Sequence, residues 1–152
     1  MNFRQALFVA AVFDYDRRQR NHDEFKERVE GNIRRWEESL EKNDGFQHRT
    51  RTTIEKNEDR LKKAKDALYR RNNASTRDWL ERQRVIANTH RSEAARLAAS
   101  EKIRDHEAKV RDIHRSISQM QEWISRGLSD LYSARLKASE LQSKISDARR
   151  KI

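Results

Sequence analysis

Five histidines, His22, His48, His90, His106 and His114, are the side chains best suited to metal or proton chemistry here. No two of them stand four apart, the spacing that presents two imidazoles to one metal from a helix face. Cysteine is absent, which removes thiolate zinc sites and disulfides and weakly favours a reducing compartment. Gly31, Gly45 and Gly127 stand singly, so no glycine-rich loop can cradle a phosphate. Serine, histidine and aspartate are plentiful, but no strained elbow exposes a nucleophile. No catalytic, cofactor-binding or metal-binding residue is expected. The chain reads as a non-enzyme.

Positive charge is the chemistry that remains. Residues 1–48 hold nine Lys/Arg against ten Asp/Glu, residues 49–96 fourteen against seven, and residues 97–152 twelve against eight. Arg70, Arg71, Arg77, Arg82 and Arg84 crowd the middle of the sequence and form the candidate surface for an anionic partner. Local pairing with Asp and Glu three or four residues away competes with that role. Aromatic residues that would stack on bases are sparse nearby, and no nucleic-acid fingerprint is present.

These charges must be carried on helices. The chain has 152 residues, 39% of them charged, and no proline to break a helix. In the second half, Ile103, Val110, Ile117, Ile124, Leu131, Ala138, Ile145 and Ile152 recur every seven residues. Ala99, His106, Ile113, Met120, Gly127, Ala134, Leu141 and Ala148 hold the companion core position. This heptad pattern predicts a long helix whose apolar stripe faces another helix. His106 falls on that stripe, where a polar side chain ordinarily sets register.

The first half carries a weaker copy: Ile33, Leu40, Gln47, Ile54, Leu61 and Leu68 alternate with Val29, Trp36, Asn43, Thr50, Asn57 and Ala64. The phase passes unbroken through Asn43-Asp44-Gly45, although those residues suggest a turn and a kink near 43–46. Thr52 with Glu55 could instead cap a new helix there. The stronger break is Asn72-Asn73-Ala74-Ser75, where asparagine tolerates left-handed backbone and Ser75 or Thr76 suits an N-cap. The predicted fold is all-α: one antiparallel two-helix coiled-coil hairpin over 1–152. Helix 1 covers about 2–72, the turn 72–76 and helix 2 about 76–151.

A turn near residue 74 gives partners whose numbers sum to about 148, so apolar Phe3, Leu7, Phe8, Val12 and Tyr15 would meet Leu131 to Ile145. Trp36 lies on the seam, Trp79 opens the second helix, and Trp123 flanks the core position Ile124. The apolar run Ala6 to Phe13 is too short for a membrane span, which takes about 20 residues. Asp14 and Asp16 follow it without a convincing cleavage site, so it reads as part of the fold rather than a leader, and a cytoplasmic location is expected.

In size, basicity, helix number and lack of proline, the chain resembles the coiled-coil stalk proteins of flagellar and type III secretion export ATPases. The resemblance covers the whole chain in form and rests on no diagnostic motif. It implies a hairpin whose paired termini enter an ATPase ring, with Phe3 to Tyr15 and Leu131 to Ile152 as the matching end. The expected function is a stalk, spacer or adaptor, monomeric or homodimeric, in a larger protein assembly. The protein-contacting end would be Phe3, Leu7, Phe8, Val12 and Tyr15. The alternative is a nucleic-acid-binding coiled coil that grips its partner through the basic tip, with affinity falling as salt rises.

Overall fold

A computed structural model describes residues 2–152. The described residues are all-helical, with three helices: α1 Phe3–Asn72, α2 Ala74–Thr89 and α3 Glu93–Arg149. No strand occurs among the described residues. The chain divides into two compact units, one formed by its residues up to His48 with Tyr132–Ile152, the other by Arg49–Leu131. Helices α1 and α3 contribute to both, and pack closely within each.

Helix α1 runs unbroken through Asn43-Asp44-Gly45 and through Thr52. Continuous heptad phase outweighs the local turn preference, because every core position from Val29 to Leu68 turns at least partly away from solvent. In α3 all core positions from Ala99 to Ala148 do the same. The stripes read from the sequence are the buried faces.

Three expectations are corrected. First, the second helix is two helices. His90 ends α2 in extended backbone (φ −66°, ψ 142°), and its N–H donates to the Ile86 carbonyl. Ser92 then caps α3, its hydroxyl accepting from Ala95 N–H at 3.4 Å, while Ser92 N–H donates to His90 Nδ1 at 3.0 Å. Second, Asn73 rather than Ser75 or Thr76 caps α2. Its Oδ1 accepts from Thr76 N–H at 2.9 Å, with its own backbone extended rather than left-handed. The side chains of Thr76 and Arg77 turn back to the carbonyls of Arg70 and Asn72, satisfying two acceptors at the end of α1.

Third, the register differs. Asn43, expected opposite residue 105, donates through Nδ2 to the Ala134 carbonyl at 3.0 Å. In the same unit Ile33, Ile145 and Ala148 form a core cluster flanked by Val29, Trp36 and Leu40, and Arg149 pairs with Glu37 at 2.6 Å. The sixteen residues of α2 and the break after it lie between the two long helices, so the partners on α3 come later in the chain. Leu131, Ala134, Leu141 and Ile145 are buried without help from Phe3 to Tyr15, which are left exposed except for Ala6.

Candidate functional site

Two features stand out, one in each unit. The first is the opening stretch of α1. Phe3 is 77% exposed, Phe8 71% and Phe13 67%, and Leu7, Val9, Val12 and Tyr15 are exposed as well. Successive helical residues are turned by about 100°, so the uninterrupted run Ala6 to Phe13 places apolar side chains on every side of the helix. A solvated surface helix has a polar face; this segment has none. No helix among the described residues is long and apolar enough to cross a membrane.

The second is an open groove of about 560 Å³ in the unit Arg49–Leu131. The last turn of α1 supplies Arg70 and Arg71, the first turns of α2 supply Ser75, Thr76 and Trp79, and α3 supplies Lys102, Asp105, His106 and Lys109. Lys102, His106 and Lys109 fall at i, i+4 and i+7 of one helix, which puts all three on one face. Four cations therefore surround one carboxylate, and none of the four forms an ion pair. Elsewhere some cations do pair: Lys63 with Asp59, Arg126 with Glu122 and Arg84 with Glu81.

His106 forms part of the groove floor and is only 8% exposed. Its ring lies 6.2 Å from that of Trp79, tilted by 57°. Burial lowers its pKa below the usual 6.5, Arg71 and Lys109 push the same way, and Glu107 opposes them. The imidazole is therefore held neutral at neutral pH. No group of three or more His, Asp or Glu side chains suited to a metal converges among the described residues.

The groove takes two of the five arginines singled out in the sequence. Arg70 and Arg71 line the groove. Arg77 donates through Nε to Asn72 O at 3.1 Å, Arg84 pairs with Glu81 at 3.5 Å, and Arg82 lines a separate depression with Asp78, Glu81, Val85 and Ile86. Lys102 and Lys109 were missed, although their i, i+4, i+7 spacing with the core position His106 was present to be read. The helix α2 provides one wall of the groove. Trp123 is exposed and belongs to neither feature. No protein-family model matches the sequence, and searches of curated proteins and of solved structures return no match.

Proposed function

We propose that this chain is a non-enzymatic adaptor, a stalk or spacer in a larger protein assembly, whose opening helical segment is enclosed by a partner protein. The observation that carries the reading is the apolar run Ala6 to Phe13, which surrounds its helix on all sides and is left exposed except for Ala6. A helix apolar all round is stable in water only when something buries it. At 1.5 Å per residue the run is about 12 Å long, against about 30 Å of hydrocarbon in a bilayer, so a protein socket suits it better than a membrane. The export-ATPase stalks are one assembly in which such a segment would be enclosed.

The scaffold for this role is a coiled-coil seam along which α1 and α3 run antiparallel within each unit. Support comes from paired positions that rise in α1 as they fall in α3. Glu37 meets Arg149 and Asn43 meets Ala134 in one unit; Ile54 lies beside Gly127, and Arg71 shares the groove of His106, in the other.

The test is affinity purification from the native source with nuclease present, comparing the wild type with Phe8→Glu/Phe13→Glu. Both side chains are exposed, so the variant should keep its helicity and stability while losing its protein partners. Identical partners for both proteins would defeat the reading. So would a homodimer in sedimentation that the double variant abolishes, because a second copy would then be the cover.

A further inference from the structure

The groove beside α2 has no part in the adaptor reading, and its construction points to a ligand of its own. Lys and Arg side chains on a protein surface ordinarily find a carboxylate or extend into water. Here Arg70 and Arg71 come from α1 and Lys102 and Lys109 from α3, and all four border one concavity without an ion pair. Asp105 is the one acidic lining residue. Gathering like charges costs Coulomb energy in the empty state, and an anion placed among them recovers it.

The floor supplies an independent sign. His106 is more than nine-tenths buried, borders the groove, and makes no hydrogen bond to another protein group. Its ring is fixed against Trp79. No side-chain nitrogen of His106 is both sealed from solvent and unpartnered, so its ring is open to the groove. Here the open volume is the place from which a partner would come.

The spacing indicates what kind of anion. Lys102 and Lys109 are two helical turns apart, about 10 Å along α3. A chain of two or three phosphates can lie between them and still face Arg71. A volume of about 560 Å³ lies in the range of small-ligand sites. A nucleic-acid strand would need its cations laid out along an extended track, and Arg77 and Arg84 are engaged elsewhere.

We infer that the groove bounded by Arg70, Arg71, Lys102, His106 and Lys109 binds a linear di- or triphosphate group. That group is either free polyphosphate or the phosphate chain of a nucleotide. The two arginines and two lysines neutralise the phosphate oxygens, and the His106 ring donates to one of them. Trp79 forms the apolar wall beside it. The inference does not depend on the enclosed segment of α1, and either can fail alone.

Isothermal titration of the full chain with tripolyphosphate, and separately with ATP, tests it. Either ligand should bind, and tighter binding of ATP would assign the site to nucleotides. Loss of a charged hydrogen bond should weaken affinity about tenfold in Arg71→Gln and in Lys109→Gln, and of a neutral one about threefold in His106→Phe. Lys137→Gln, an exposed lysine of the other unit, should bind as the wild type does. Circular dichroism of each variant confirms the fold. The inference is overturned by dissociation constants weaker than about 1 mM for both ligands. It is equally overturned by equal losses in Lys137→Gln and Lys109→Gln, or by a bound oligonucleotide that tripolyphosphate cannot displace.

Discussion

The ring of Trp79, on α2, lies 6.2 Å from the ring of His106, on α3, tilted by 57°. This contact ties the short helix to the long one and buries a titratable group at what a heptad reading makes a core position. Its thermodynamic consequence follows from the sign of the shift. Burial first, then Arg71, lowers the folded-state pKa of His106 below 6.5, so the unfolded chain takes up its proton at a higher pH than the folded one. The stability of the neutral form is therefore complete above the unfolded value and declines as pH falls from about 6.5 toward the lowered value. Urea midpoints measured at pH 8 and pH 5.5 should show a loss at the lower pH, and His106→Gln should reduce that loss. An unchanged difference in the variant would remove His106 as its source.

Gly31 and Gly127 should respond oppositely to alanine. A Cβ at Gly31 meets nothing within 4 Å, so Gly31→Ala keeps the full helix-propensity gain of about 1 kcal/mol. At Gly127 the same atom would come 2.8 Å from Ile54 Cγ1 and 3.2 Å from Ile54 Cδ1. Ile54 is buried and β-branched, with one strongly preferred rotamer in a helix, so it cannot easily yield. Overpacking of about 1–3 kcal/mol then cancels or exceeds the gain. Thermal melts should rise for Gly31→Ala and stay level or fall for Gly127→Ala.

Asn73→Ala should destabilise the protein by about 1 kcal/mol, the usual worth of an N-cap, since it removes the acceptor for Thr76 N–H. Ser75→Ala, at a position the sequence also offered as the cap, should have little effect on the urea midpoint. Equal losses in the two variants would contradict the assigned cap.

Asn43 links α1 to α3 by donating to the Ala134 carbonyl while accepting from Gln47 Nε2 at 2.6 Å. Asn43→Ala leaves that carbonyl without its donor in a part-buried setting and should cost about 1–2 kcal/mol. Removing the exposed Glu37–Arg149 pair, although it also joins the two helices, should cost under about 1 kcal/mol and less at high salt. The urea midpoint of Asn43→Ala checks the first, and a double-mutant cycle on Glu37 and Arg149 checks the second.

The buried stripes were legible because burial along a long helix leaves a seven-residue beat, and each heptad position from Val29 to Leu68 and from Ala99 to Ala148 is at least partly buried. Continuity through Asn43-Asp44-Gly45 followed from the same beat. The break at His90–Ser92 was missed because it contains neither proline nor glycine. A sign was present, however. Extending the phase of α3 backwards reaches Arg96, Ser92, Thr89, Val85, Arg82 and Asp78, all exposed, whereas α2 turns Thr76, Trp79, Leu80, Gln83, Ile86 and Ala87 inward. That phase slip marks a separate helix. Register was not legible, because it depends on how much chain α2 takes up before α3 begins. The groove was half legible: Arg70 and Arg71 stood out near the first break, but the α3 residues that meet them depend on that register.

The claim that a partner protein encloses the opening of α1 is tested most directly by photo-crosslinking in the native source. A benzophenone amino acid is placed at Phe8 or Phe13, with Tyr69, exposed on the same helix, as the reference position. The account predicts a discrete crosslink to a different protein from positions 8 and 13, and none from position 69. Crosslinks only to a second copy of the chain, or the same yield from all three positions, would contradict it.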